Sequence, residues 1–167
     1  MPHHAYIALG SNLGNRQANI GGAIHRMRLF PQTLVTRQSS VREAKPVGGP
    51  AGQGDYLNSV VEMTTGLEAA ELLQGLLAIE HSMGRARGCE VRHGPRVIDL
   101  DLLLFDQVVC DGPALTIPHP RLAERLFVLV PLAELAPNLL HPVLQLPIRQ
   151  LLAQATAGSS SLGTNQC

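Results

Sequence analysis

Two carboxylates two residues apart, Asp99 and Asp101, interrupt an otherwise apolar run, Arg96-Val97-Ile98-Asp99-Leu100-Asp101-Leu102-Leu103-Leu104-Phe105. Read as a strand, the run puts Asp99 and Asp101 on one face with Val97 and Leu103. Ile98, Leu100, Leu102 and Leu104 then share the other, the core face. The carboxylates would stand about 6.5–7 Å apart at Cα. Two ionised carboxylates that close repel unless a cation lies between them. A hard divalent ion such as Mg²⁺, which takes carboxylates, substrate phosphates and water, suits such a pair. The plainer reading has both pointing into solvent on an open sheet face, and the pair alone leaves the two readings open. Arg85, Arg87, Arg92 and Arg96 fall within twelve residues just before it. Guanidinium forks match phosphate oxygens, so carboxylates and arginines together favour a site that binds or transfers a polyphosphate.

Other residues suit other parts of such a site. Tyr56 and Asn58 would share one face of a strand that follows a Gly/Pro-rich loop. An aromatic ring beside an amide suits a flat heterocycle, which the ring stacks on and the amide hydrogen-bonds. A half-buried strand Tyr is the plain alternative. Phe127 reads as a second stacking face or as core. His119 is held between Pro118 and Pro120, with Arg125 six residues later. Glu80 falls near a helix C-terminus, where a carboxylate opposes the helix dipole. Gly10-Ser11-Asn12-Leu13-Gly14-Asn15 links a strand to a helix but lacks the Lys of a P-loop, which excludes a P-loop kinase. Cys89 lies among arginines, yet no His–acid arrangement accompanies it, and it reads as a bystander.

The elements that must position these residues follow from periodicity and turn chemistry. Strands are expected at 4–9, 33–43 (an exposed edge), 56–65 and 96–105, with 108–110 pairing back as a short strand. Helices are expected at 16–29, 67–83, around Pro131 and at 147–156, with a helical turn at 121–126. Loop 45–54, rich in Gly and Pro, is expected to be mobile and long enough to suspect function, and 85–95, rich in Arg and Gly, reads as a second loop. The order βαββαβ is the ferredoxin-like α+β pattern, an antiparallel sheet with helices packed on one face. Residues 1–156 are expected to form a single domain and 157–167 a disordered tail.

Composition narrows the function classes. The chain has 167 residues, 45% of them hydrophobic and 16% charged, with thirteen basic residues against thirteen acidic. That balance gives no global attraction to nucleic acid or anionic membrane. Twelve of the basic residues are Arg and only Lys45 is Lys. Three cysteines without a CxxC pair suggest reduced thiols in the cytoplasm. No basic segment followed by an apolar stretch opens the chain, so no signal peptide is expected. The apolar run Leu102–Phe105 is far too short to span a bilayer.

The run Arg92-His93-Gly94-Pro95-Arg96-Val97-Ile98-Asp99-Leu100-Asp101-Leu102-Leu103 resembles the signature of the 6-hydroxymethyl-7,8-dihydropterin pyrophosphokinases. These folate-pathway enzymes move the terminal pyrophosphate of ATP onto a pterin. Further matches follow in the family's order: Tyr6–Gly14, Asp55–Asn58, Ile79-Glu80 with Gly84–Arg87, Ile117–Arg121 and Glu124–Leu132. The resemblance covers residues 5 to about 155. It implies that Asp99 and Asp101 hold two Mg²⁺ ions, and that Tyr56 and Phe127 sandwich the pterin while Asn58 bonds its edge. Gly10, Ser11, Asn12 and Val47 would back the pterin pocket. Arg85 and Arg96 would act on the ATP phosphates during catalysis, with Arg87, Glu80, His119 and Arg125 lining the nucleotide site. ATP is the implied co-substrate. A monofunctional, monomeric, cytoplasmic enzyme is expected, with small-molecule partners only. Ala44-Lys45-Pro46-Val47 departs from the Thr-Pro-Pro-type run usual in the family, and His93 replaces an aromatic. Those departures keep two other readings in view, a paralogue acting on a different alcohol and a non-enzymatic nucleotide-binding module.

Overall fold

The computed structural model describes residues 1–84 and 94–163, with side chains through residue 159. Arg85, Arg87, Cys89, Arg92 and His93 lie outside the described residues. A central antiparallel sheet is built from β1 (His3–Ser11), β2 (Thr33–Gln38), β3 (Arg42–Ala44), β4 (Tyr56–Thr65) and β5 (Asp99–Phe105). Its order is β2-β4-β1-β5, with β3 continuing beside β4. With α1 (Arg16–Met27) and α2 (Ala69–Ser82) as crossovers, this is the ferredoxin-like βαββαβ arrangement.

The helices form where the sequence supplies both a start and an apolar stripe. Asn15 caps α1 by accepting the Ala18 N–H at 3.1 Å. Ile20, Ala23, Ile24 and Met27 face the sheet from that helix. Glu68 and Glu71 close a capping box on α2, whose Leu72, Leu76 and Ile79 complete the same core with Ile7, Leu9, Val61, Met63, Leu100 and Leu102. Helices cover the opposite face too, which corrects the one-sided packing expected from the pattern. There α3 (Leu126–Leu135) and α4 (Ile148–Gly163) bury Leu129, Leu132, Ile148 and Leu151 against Tyr6, Ala8, Val60, Leu103 and Leu104. The backbone of α4 continues seven residues past the expected helix end at 156. Pro131 inside α3 has no N–H to give the carbonyl of Phe127, so the first turn lacks that bond.

Strand β5 also differs from strict alternation. Leu102 pairs with Ile7 but Leu104 pairs with Tyr6, so Leu103 is one extra residue. This β-bulge resets the phase of the strand. Leu100 and Leu102 face the α1/α2 core, whereas Leu103 and Leu104 both enter the α3/α4 core, and Phe105 returns to the first. Leu104 was expected on the face of Leu102, and the bulge is the reason it is not. The chain then leaves the sheet at Asp106, whose carboxylate takes the His4 N–H at 2.7 Å and the His3 ring at 2.7 Å. That clasp turns the chain away from β5. The short strand β6 (Cys110–Asp111) therefore pairs with β7 (Thr116–Ile117) and not back on β5. Among the described residues, no helix is long and apolar enough to cross a membrane.

Candidate active site

A cavity of about 360 Å³ opens on the sheet face opposite α1 and α2, beyond the end of the layer formed by α3 and α4. Small residues create it. Ala8 and Gly10 of β1 form its floor, with Asn58 of β4 paired to Gly10 on one side and Asp101 and Asp99 paired to Ala8 and Gly10 on the other. A Cβ placed on Gly10 would stand 3.1 Å from Asn58 Oδ1 and 3.3 Å from Tyr56 Cδ1. Glycine is what lets those two side chains close over the strand.

One end of the cavity is aromatic and amide in character. Tyr56, Asn58, Phe127 and Val47 line it. Asn58 is 7% exposed, and its Nδ2 has no hydrogen-bond partner among the described residues. A buried donor left unpaired is costly, so this amide is suited to an acceptor brought by a ligand. Arg125, just before α3, lies over Phe127 with its Cζ 5.6 Å from the ring centroid.

The other end is charged. Asp99, Asp101, Arg96, Arg121, Arg125 and His119 line it. The Arg96 side chain is only 11% exposed; its Nη1 donates to Gly94 O at 3.0 Å and its Nε stands 4.0 Å from Asp99 Oδ1. The bulge residue Leu103 uses its carbonyl to accept the His119 N–H at 2.9 Å, which sets His119 against the site. His119 Nδ1 in turn accepts the Arg121 N–H at 3.2 Å, leaving Nε2 to carry the ring proton. Burial, with Arg125 and Arg121 nearby, pulls the His119 pKa down to about 4, so the ring is neutral at pH 7. Among the described residues, no group of three or more His, Cys, Asp or Glu converges. Two carboxylates with no His or Cys fit Mg²⁺, which keeps water and completes its shell with substrate oxygens.

A second cavity, about 300 Å³, meets the first at Asp101 and His119. It runs along the outside of β5, between Leu73 and Leu77 of α2 and the 113–116 turn. Its apolar walls and turn backbone suit a planar base.

The structure thus gathers Gly10, Val47, Tyr56, Asn58, Arg96, Asp99, Asp101, His119, Arg125 and Phe127 around one cavity. Three other expected residues sit behind it. Ser11 is fully buried, and its Oγ accepts from Asn19 Nδ2 at 3.2 Å. Asn12 is hydrogen-bonded to Arg96, Gln53 and Gly54. Glu80 is 1% exposed on α2, and its Oε2 accepts the Leu100 N–H at 3.4 Å, between the two aspartates in sequence. Arg85 and Arg87 lie outside the described residues. Sequence reasoning gave no role to Lys45 or Arg121, which also line the cavity, or to Leu73 and Leu77 of the second one. Arg121 had a signal, since it closes the Pro118-His119-Pro120 turn; the two leucines look like any core position.

Comparison with known proteins identifies the family and the fold. Residues 6–137 match the model of the family described as 7,8-dihydro-6-hydroxymethylpterin-pyrophosphokinase (HPPK). A Bacillus subtilis protein named 2-amino-4-hydroxy-6-hydroxymethyldihydropteridine pyrophosphokinase is 46% identical over 135 residues, 81% of this chain and 79% of the relative. A Pseudomonas aeruginosa protein of the same name is 41% identical over 142 residues, 85% of this chain and 86% of the relative. Among solved structures, Plasmodium falciparum HPPK-DHPS with pteroate superposes with a TM-score of 0.74 at 14% identity, over 94% of this chain and 43% of that one. An HPPK-DHPS in complex with substrates gives 0.72 at 13% identity, over 96% and 45%. At those identities the likeness speaks for the fold, and the chain spans under half the length of both solved proteins.

Proposed function

Because the chain belongs to the 7,8-dihydro-6-hydroxymethylpterin-pyrophosphokinase family, we propose that it transfers the terminal pyrophosphate of ATP to 6-hydroxymethyl-7,8-dihydropterin, releasing AMP, in folate synthesis. The observation that carries this reading is the unpaired Asn58 Nδ2, buried at the aromatic end of a cavity whose other end carries carboxylates and arginines. A pterin presents ring acceptors to such an amide and a flat face to Tyr56 and Phe127. Its hydroxymethyl arm then points along the floor of Ala8 and Gly10 toward Asp99 and Asp101.

In this reading the second cavity takes the adenine, and the triphosphate crosses from it past Asp101 and His119. Arg96, Arg121 and Arg125, with Arg85 and Arg87, neutralise phosphate charge as it shifts in the transition state. His119 offers a neutral Nε2–H donor to a phosphate oxygen. Glu80 acts from beneath by fixing the Leu100 amide, and so the strand that carries both aspartates. Asp99 and Asp101 would hold two Mg²⁺ ions, which when bound would add to the neutralisation of the phosphates and lower the pKa of the attacking hydroxyl. The hydroxymethyl oxygen bonds to the β-phosphorus. The bond from that phosphorus to the α–β bridging oxygen breaks, AMP departs with the electron pair, and the hydroxyl proton passes to solvent. Positioning and charge neutralisation do most of the work, since an acidified hydroxyl requires no strong side-chain base. The enzyme is read as a monomer acting on small molecules in the cytoplasm.

The test is AMP release from ATP and Mg²⁺ with and without the pterin. Pterin-dependent AMP supports the reading. ADP in its place, or ATP binding with no turnover, would refute it in favour of the paralogue or the nucleotide-binding module.

A further inference from the structure

The last turn of α3 is fastened to the corner between β2 and β3. Glu134 Oε1 accepts the Ser40 N–H at 3.0 Å and the Ser40 hydroxyl at 2.9 Å, and its Oε2 accepts from Arg42 Nη2 at 3.3 Å. The Leu135 carbonyl accepts from Arg37 Nη2 at 2.6 Å. The Ser40 bonds first, then Arg42, hold the Glu134 carboxyl below its ordinary pKa. The corner is in turn fixed to β4. Ser39 is buried there; its N–H donates to Val60 O at 2.9 Å, and its hydroxyl oxygen accepts the Val60 N–H at 2.9 Å. β3 then runs beside the start of β4, with Arg42 opposite Asn58 and Ala44 opposite Tyr56.

Both ends of this path reach the aromatic end of the cavity. Phe127 and Glu134 are seven residues apart in α3, which puts them on one stripe of the helix. Tyr56 stands on the strand that anchors the corner. Leu129 and Leu132 press α3 onto the sheet, but apolar attraction has no direction. Hydrogen bonds do, and they determine where along its axis the helix stops.

We propose that Glu134 is a positioning residue that sets the gap between the Phe127 and Tyr56 rings, and so selects flat ligands over puckered ones. The inference rests on the function proposed above, in which the flat ligand is the pterin. Glu134 lines neither cavity and acts through the helix that carries Phe127. Alanine at this position removes all three bonds. Glutamine keeps an oxygen for both Ser40 donors and loses only the charge pair with Arg42.

The experiment is titration calorimetry with 6-hydroxymethyl-7,8-dihydropterin and with its 5,6,7,8-tetrahydro form, whose saturated ring is puckered. Both are titrated in the presence of an ATP analogue bearing a methylene between the α and β phosphorus atoms, which cannot release AMP. Wild type is expected to prefer the dihydro form. Glu134→Ala is expected to bind the dihydro form about 2- to 12-fold more weakly, the worth of one aromatic contact, and to narrow the preference. The affinity of the analogue alone is expected to stay unchanged, and Glu134→Gln to restore most of the loss. Ser40→Ala, which removes one bond from the opposite partner, is expected to move both quantities the same way by less, and guards against a folding defect at 134. Unchanged dihydropterin affinity and preference in Glu134→Ala, an equal loss for the analogue, or no recovery in Glu134→Gln would overturn the inference while leaving the proposed function standing. Failure of wild type to bind the dihydropterin would instead overturn the proposed function and this inference with it.

Discussion

Replacing Gly10 with Ala tests whether the sheet floor sets the shape of the pterin end. Gly10 does not have a positive φ, so alanine meets no backbone strain there. The only conflict is the added methyl, which would stand 3.1 Å from Asn58 Oδ1 and 3.3 Å from Tyr56 Cδ1. Ordinary contacts between carbon atoms lie near 3.5–4.0 Å, so both side chains must yield by a few tenths of an ångström. Inserting a methyl into a packed site costs about 1–3 kcal/mol. Tyr56 and Asn58 border open cavity and can move into it, so the cost falls on the ligand and not on the fold. At about 1.4 kcal/mol per decade this is roughly a 5- to 150-fold loss of pterin affinity. The assay is pterin titration in the presence of the unreactive ATP analogue, with analogue titration alone and a thermal melt as controls. Unchanged pterin affinity with an intact melt would refute the crowding argument. An equal loss for the analogue would show that Gly10 shapes the whole sheet and not one end of the cavity.

Asn58→Ala is expected to leave the melting temperature nearly unchanged, since the lost amide carries an unpaired donor, while pterin affinity falls about tenfold or more; a large drop in melting temperature with normal affinity would contradict the assignment. Asp101→Asn is expected to cut turnover by about 10²–10³ with the fold retained, and a Mg²⁺ titration of the variant should show weakened dependence; wild-type turnover would remove the carboxylate from the site. His119 has a folded pKa near 4 against 6.5 for the free side chain, so the unfolded chain binds the proton first as pH falls. Its contribution is therefore lost between pH 6.5 and 4, with a slope of at most about 1.4 kcal/mol per pH unit. His119→Gln should flatten that limb in urea melts, and an identical profile would contradict the buried, neutral ring. His3 works in the other direction: its bond to Asp106 raises its pKa, so the clasp stabilises below the ordinary His pKa and weakens as pH rises through the raised value. His3→Ala should remove that alkaline loss.

Much of this was legible because periodicity and chemistry coincided. β4 spans Tyr56–Thr65, as its alternation and the preceding Gly/Pro loop indicate. The Asp-Leu-Asp spacing put both carboxylates on the cavity face, and Tyr56 and Asn58 followed from the same period of two. Illegible features depend on partners distant in sequence. Four apolar residues in a row, Leu102–Phe105, contain no polar residue to mark the phase, so nothing betrayed the bulge at Leu103. β5 begins at Asp99 and not at Arg96, because Arg96 exchanges its hydrogen bonds with Asn12 through a side chain that propensity does not see. The second helical layer was not legible because the helix around Pro131 and the C-terminal helix lie outside the βαββαβ pattern, which alone says which sheet face a helix covers. Asn12 sits behind the cavity, and its bonds to Arg96, Gln53 and Gly54 depend on partners that its sequence neighbours do not reveal.

The extra residue in β5 acts on this stretch of chain as a frameshift acts on a message. Upstream of Leu103, odd positions project to the catalytic side; downstream, even ones do. Deleting Leu103 would merge the two frames. Leu102 opposite Ile7 and Leu104 opposite Tyr6 would then alternate regularly, so that Asp99, Asp101, Leu104 and Phe105 keep their layers while the carbonyl that anchors His119 is lost. The extra residue thus serves the anchor of His119 and not the alternation of the strand. Chimeras between relatives should take their crossover after Asp106, so that the carboxylates travel with their own floor in β1 and Asp106 with its own histidine.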